Sequence, residues 1–220
     1  MSPARARAVF VKSGMLRPGR ALVATLLVTQ LAFAQSAETN AADTKRLIAA
    51  LHIHQDSIVG EIGAGSGELT VALAREVGPG GRIYSNELNA DRRVEIARAV
   101  ESAGLANVTI VEGAPASANL SAECCDAIFM RNVYHHFADP AAMNATLFRA
   151  TKPGGYIAVI DFAPPGAEAA EPAGRSAEKF HGVAPESVIR ELKNAGFEDA
   201  ASEEIVRRGF IVVARRPDAR

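Results

Sequence analysis

The chain reads as an α/β protein built on a doubly wound, seven-stranded sheet, mostly parallel and closed by a C-terminal antiparallel hairpin. Three observations predict this. From residue 57 onward, short apolar runs alternate with segments of helical apolar spacing, the order of a parallel sheet with crossover helices. The first run enters Val59-Gly60-Glu61-Ile62-Gly63-Ala64-Gly65-Ser66-Gly67, where three glycines are spaced by single residues; glycine lets a backbone turn tightly and approach a ligand closely. Near the end, two strand-like segments are joined only by Arg207-Arg208, too short a link for a crossover, so they pair antiparallel.

The elements follow in order. Residues 35–56 form a leading segment in which Ala41 to Leu51 is helical, opened by Asp43 or Thr44 as a cap. Strand one spans Ser57 to Ile62, the next helix Glu68 to Val77, and strand two Gly81 to Asn86, ending at Glu87. A helix from Ala90 to Ala103 is closed by Gly104. Strand three is Val108 to Glu112 and strand four Cys125 to Met130. The helix from Pro140 to Ala150 has proline at its first position and Lys152-Pro153-Gly154-Gly155 as its stop. Strand five, Tyr156 to Phe162, is nearly all apolar, as expected of a strand covered on both faces. Ala163 to Ala184 shows no period and is expected to be a long mobile loop at the carboxyl edge of that strand. A last helix, Pro185 to Asn194, precedes strands Ala200 to Val206 and Gly209 to Arg215. The domain is thus 57–216.

Composition sets the class. The 220 residues are 48% apolar and 22% charged, enough for a full core. Of 24 basic residues five lie in residues 1–34, which hold no acid, so the remainder carries 19 basic against 25 acidic residues, a net of −6. Such a body has no electrostatic footprint for nucleic acid. The basic start leads into fourteen mostly apolar residues, Ala21 to Ala34, ending in Ala-x-Ala. That is short of the roughly 20 residues a bilayer span needs and reads as a signal peptide over 1–34, with cleavage before Gln35 or translation starting at Met15. The mature chain is then expected in the periplasm or secreted, with no stable membrane span. An uncleaved anchor or a mitochondrial presequence are the weaker readings. Cys124 and Cys125, the two cysteines, are expected to pack as small core residues, since sequence neighbours seldom bridge.

The glycine turn is not a dinucleotide loop of G-x-G-x-x-G type, which would need glycine where Glu68 stands. Glu87, twenty residues after Gly67 at the end of strand two, can accept hydrogen bonds from both hydroxyls of a ribose. With the acid of Glu61-x-Gly63-x-Gly65-x-Gly67 and this terminal acid in the right order, the chain resembles the class I S-adenosylmethionine (SAM) dependent methyltransferases over roughly residues 41–216, a Rossmann-like fold. The resemblance implies SAM as cofactor, with Glu61 on its methionine portion and backbone at Gly63, Ala64 and Gly65, with Gly67, forming the loop. It implies Glu87 on the ribose and Leu88 on one face of the adenine. Where many relatives have Gly-Asp after strand three, this chain has Gly113-Ala114, so adenine contact is expected from backbone at Ala114 or from Glu112.

A second match is Arg131-Asn132-Val133-Tyr134-His135-His136-Phe137-Ala138-Asp139-Pro140, similar to the His-His-Phe and Asp-Pro stretch of small-molecule methyltransferases. Arg131 and Asn132 would then flank the sulfonium, and Tyr134 and His135 the substrate space. For His135 or His136 the first reading is a structural imidazole, capping the next helix or satisfied in the core, and the second is contact with substrate. A neutral histidine can take the proton of a hydroxyl or amine nucleophile; Asp161 at the tip of strand five and His181 in the returning loop are the other candidates. No metal site is expected from His52, His54, His135, His136 and His181, because none stands at ligand spacing. The acceptor is expected to be a small or lipid-like molecule. A protein L-isoaspartate methyltransferase and a non-catalytic nucleoside- or lipid-binding relative are the alternatives.

Overall fold

The structure is a computed structural model and describes residues 36–206 and 208–219. The chain divides into two compact units, residues 1–39 and 40–220. Of the first, residues 36–39 are described and are helical; the expected leader over 1–34 lies outside the described residues. Among these, no helix is long and apolar enough to cross a membrane.

In the second unit, helix α1 runs through residues 40–50. It is already helical at Asp43 and Thr44, so neither caps it. The Thr44 hydroxyl donates to the Asn40 carbonyl at 2.8 Å and Asp43 pairs with Arg46 at 2.9 Å. There follow β1 (Ile58–Ile62), α2 (Glu68–Val77), β2 (Arg82–Glu87), α3 (Ala90–Ser102), β3 (Val108–Glu112) and β4 (Cys125–Arg131). The chain continues through α4 (Pro140–Ala150), β5 (Thr151–Phe162), α5 (Pro185–Asn194), β6 (Glu198–Glu204) and β7 (Gly209–Arg215). Asn89 caps α3 by accepting from Asp91 N and Arg92 N, and Asp139 caps α4 by accepting from Ala142 N, with Pro140 at the first position.

The seven strands form one sheet in the order β3-β2-β1-β4-β5-β7-β6. The first five pair in parallel, and β7 joins β5 and β6 antiparallel. The strand order reverses between β1 and β4, and ligands of such sheets bind beyond the carboxyl ends of strands at that reversal. Alternate residues of the central strands feed two cores. Ile128 and Met130 of β4, with Ile157 and Val159 of β5, pack with α4 and α5 residues such as Leu147 and Leu192. Ala127 and Phe129, with Ala158 and Ile160, pack with Leu47 of α1 and Leu69 and Leu73 of α2. Each such buried side chain contributes about 1.5–3 kcal/mol, so the central strands anchor both cores.

Four local expectations are corrected. β5 starts at Thr151, because Lys152-Pro153-Gly154-Gly155 does not end the chain direction but forms a bulge, Cys125 facing Thr151 and Ala127 facing Tyr156. Gly154 there has φ +77°, and a Cβ on Gly155 would lie 2.7 Å from the Asp126 carbonyl. β6 lies two residues earlier than expected, because Ile205 and Val206 are taken up by the turn, where Ile205 N donates to Gly209 O and Arg208 has φ 64°. Cys124 and Cys125 are joined by a disulfide; Cys125 packs in the core as expected, while Cys124 is half-buried.

The fourth concerns the loop after β5, which is pinned rather than free. Arg175 is 3% exposed. Its guanidinium donates to both oxygens of Glu191 on α5 at 2.6 and 3.1 Å, and its Nε lies 2.7 Å from Glu168. Ser187 adds a hydrogen bond to Glu168 at 2.6 Å. Arg175→Ala leaves two acids facing each other without their cation. It is expected to cost about 3 kcal/mol, seen as a fall of roughly 6–12 °C in the midpoint of a thermal scan; an unchanged midpoint would mean the loop is held by other contacts.

Candidate active site

The carboxyl ends of β1, β2, β4 and β5 deliver the side chains that matter. After β1 the chain folds back at Gly63, whose φ is +69° and where a Cβ would meet Val133 Cγ2 at 2.4 Å. Only glycine fits between the two strand exits. The turn is tied to β2: Gly63 N and Ala64 N donate to the Asn86 carbonyl at 2.8 and 3.0 Å, and Gly65 N donates to Glu87 Oε2 at 2.9 Å. Glu87 Oε1 accepts from Asn89 N at 2.9 Å. One carboxylate thus sets the glycine turn and the start of α3, while each of its oxygens retains a second lone pair.

Two cavities open side by side here, sharing Gly63 and Val133 as a wall. One, about 380 Å³, is lined by Ile62, Leu88, Pro115, Phe137 and Met143, with Asn86, Glu87, Gly113, Ala114 and His136 at its margins. A Cβ on Gly113 would lie 2.8 Å from Asn86 Oδ1 and 3.1 Å from Leu88 N, so glycine keeps this wall thin. The other, about 300 Å³, is polar and lined by Glu61, Glu68, Arg92, Arg131, Asn132 and the turn residues Ala64, Gly65 and Ser66. Arg131 is aimed by α1: its Nη1 donates to Asn40 Oδ1 at 2.6 Å and to Asp43 Oδ2 at 3.2 Å. Glu61 is buried beneath the polar cavity and hydrogen-bonded by the Thr70 hydroxyl, which in turn meets Ser85 Oγ at 2.8 Å. Burial pushes its carboxyl up from the ordinary 4.5 to about 8, against the opposing pull of the Thr70 hydrogen bond and the Arg131 charge.

Beyond β4 a single turn of 3₁₀ helix, Tyr134–His136, separates three side chains by direction. Tyr134 turns into the core, donating to Glu191 at 2.9 Å and accepting from Asn144 at 2.7 Å; burial and the Glu191 charge raise its hydroxyl far above the usual range. The expectation that Tyr134 walls the substrate space is therefore corrected. His135 is buried, and its Nδ1 lies 2.8 Å from Asp161 Oδ1. Asp161 also accepts from His135 N at 3.2 Å and Phe162 N at 2.9 Å. With Asp161 as acceptor, His135 carries its proton on Nδ1 and offers a lone pair at Nε2, which accepts from His181 Nε2 at 3.1 Å. His136 borders the apolar cavity, its ring 4.0 Å from that of His135. Burial, followed by the nearby His135, lowers its pKa and favours the neutral ring.

Residues 60–159 match the family described as a methyltransferase domain. This stretch, somewhat under half of the chain, carries the sequence pattern of a methyltransferase domain on the seven-stranded sheet described above. No relative among the curated proteins matches the chain significantly. Among solved structures, a SAM-dependent methyltransferase from Aquifex aeolicus is similar with a TM-score of 0.68 and 22% identity, over 79% of this chain and 89% of that one. A possible exported protein from Bordetella parapertussis gives 0.64 and 17%, over 83% and 68%. Phosphoethanolamine N-methyltransferase 2 from Haemonchus contortus gives 0.66 and 15%, over 82% and 53%. At these identities the likeness is one of fold.

The cofactor of the methyltransferase domain is SAM, and the residues fit it. An apolar cavity bounded by Leu88 and Phe137 suits a flat base, and Glu87 lies between it and the glycine turn, as a ribose requires. The polar cavity places a carboxyl, Glu61, and a guanidinium, Arg131, where an amino acid's opposite charges need partners. Every residue expected at the cofactor lines one cavity or the other except Gly67 and Glu112, the latter an exposed side chain 3.4 Å from Arg93. That glycine instead forms the left-handed cap of α2 (φ 89°), packed against Ile96. Sequence reasoning missed Asn86, Val133, Phe137 and Met143, which line the apolar cavity, and Asn40 and Asp43, which orient Arg131. Asn86 and Val133 each adjoin a residue already singled out, and that adjacency was the available signal. Nothing local marks Met143, Asn40 or Asp43. The fold also gathers His135, His136 and His181, which the sequence separates by 46 residues.

Proposed function

We propose that the protein transfers a methyl group from SAM to the oxygen, nitrogen or carbon of a small or lipid-like acceptor, with Asp161, His135 and His181 forming the proton-accepting side of the site. The observation that carries this is the Asp161–His135–His181 chain, with links of 2.8 and 3.1 Å, beside a histidine that lines the base-binding cavity. When bound, SAM supplies a methyl activated by positive sulfur. Glu87 would hold the ribose hydroxyls, Leu88 and Phe137 the faces of the adenine, and Glu61 and Arg131 the amino-acid end. Gly63 and Val133, which wall both cavities, keep the two ends of the ligand in register. Asp161 fixes the tautomer of His135, so that His135 can draw a proton from His181 as His181 takes one from the acceptor. The Phe162 ring, tilted, and the His181 ring, edge-on, hold His135 between them with centroids 4.9 and 4.8 Å away.

The test is calorimetry with SAM and its demethylated product, followed by methyl-donor turnover against pooled small-molecule and lipid extracts. Micromolar binding and turnover support the reading, whereas a folded protein that binds neither ligand refutes it. We further propose that the chain acts after export, on the strength of its basic, acid-free leader. Mass mapping of the mature amino terminus is expected to place it at Gln35, and a terminus at Met1 would contradict this.

Glu61 makes the cofactor step pH-dependent. In the free protein its carboxyl is raised to about 8, so between 4.5 and about 8 the folded chain binds a proton that the unfolded chain has lost. Its contribution to stability therefore falls as pH rises through that window. A cationic amino group placed beside it favours the carboxylate. SAM binding at pH 6.5 is expected to release a proton, read as a dependence of calorimetric heat on the buffer's ionisation enthalpy. That release shrinks above pH 8 and is lost in Glu61→Gln; equal release in the variant would place the titrating group elsewhere.

A further inference from the structure

His135, His136 and His181 each present a ring nitrogen, and the three nitrogens lie within 4.8 Å of one another. The geometry points to a site for a divalent transition-metal ion, Zn²⁺ in type, held by these three imidazoles with a fourth position open to the adjoining cavity.

Three features carry this. Zinc–imidazole bonds of about 2.0–2.1 Å in a tetrahedron set neighbouring ligand atoms roughly 3.3 Å apart, and His135 Nε2 stands 3.1 Å from His181 Nε2. The proton shared along that line lies where a cation would, and a metal displaces it to solvent. Second, His135 already has the partner that a ligating histidine needs. Its Nδ1–H is held by buried Asp161, which fixes the ring and aims Nε2 at His181. Third, His135 is buried while His136 and His181 are exposed. One ligand is therefore rigid and two can swing the remaining distance inward, and an ion can enter from solvent.

Three protein ligands with one open position is the arrangement of zinc sites that bind a reactant rather than merely brace a fold. His136 also borders the cavity assigned to the base of SAM, which places the open position beside the methyl donor. Resting on the methyltransferase reading, and taking the place of the His135–His181 proton relay whenever it is bound, the ion would bind an acceptor hydroxyl as its anion, the proton passing to water, and ready it for methylation. The binding of the ion itself does not depend on that reading.

The test uses the full mature chain, dialysed against a chelator and titrated with Co²⁺. One ion per chain is expected, with the intense visible absorption of four- or five-coordinate cobalt, removed stoichiometrically by Zn²⁺. His181→Ala and His136→Ala, both at exposed positions, are each expected to weaken binding at least tenfold, and Asp161→Asn by about 10–100-fold through the outer carboxylate. Only the weak absorption of octahedral cobalt, or an unchanged band in the His136→Ala/His181→Ala double variant, would overturn the site. SAM calorimetry on the same samples separates the two readings. SAM binding without cobalt binding rejects the metal site alone, and cobalt binding without SAM binding rejects the methyltransferase reading alone.

Discussion

Asp161→Asn is expected to lower turnover at least a hundredfold, the lower end of what a positioned proton acceptor supplies, while changing SAM affinity less than twofold. The carboxylate accepts three N–H bonds, from His135 Nδ1, His135 N and Phe162 N. An asparagine amide can donate to Nδ1 and so shift the proton to Nε2. His135 then has no lone pair to offer His181, and the chain toward the acceptor is broken although every ring stays in place. His135→Ala should give a similar loss. Single-turnover rates measured beside SAM binding check the assignment, because a purely structural role would lower affinity, folding and rate together. Full rate in both variants would mean that placement of the reactants alone suffices.

Glu87→Ala is expected to weaken SAM binding at least tenfold, or about 1.4 kcal/mol or more. Two effects add. The ribose loses its acceptor pair, each bond to a charged group being worth roughly 1.5–3 kcal/mol. In addition, Gly65 N and Asn89 N lose the oxygens that hold the glycine turn and the head of α3. Glu87→Gln separates them, since the amide keeps one acceptor oxygen and should fall between the wild type and alanine. Titration calorimetry reads both, and an unchanged dissociation constant in Glu87→Ala would remove Glu87 from the ribose.

The order of strands and helices was legible because each alternation of period marks a change of element, and α2, β3, α4, α5 and β7 begin and end where the sequence placed them. The cofactor turn was legible because a positive φ at Gly63 and the crowding by Val133 leave few residue types to choose from. What could not be read locally depends on contacts distant in the chain. The β6 register is set by its partner and by the length of the turn, and the pinning of the 163–184 loop depends on Glu191, sixteen residues beyond Arg175. The direction of Tyr134 follows from a one-turn helix with no periodic signature, and the meeting of His135 with His181 requires the whole β5 crossover to be in place.

Arg131 ties the donor-binding end to the front of the chain, since Asn40 and Asp43 hold its guanidinium. Processing or proteolysis that trims beyond residue 43 would release an unneutralised cation beside Glu61 while sparing every strand. Such a clipped form would lose a turn or two of helix, keep its sheet and lose its grip on the methyl donor, so the integrity of the amino terminus acts as a hidden quality check on any preparation whose activity is assayed.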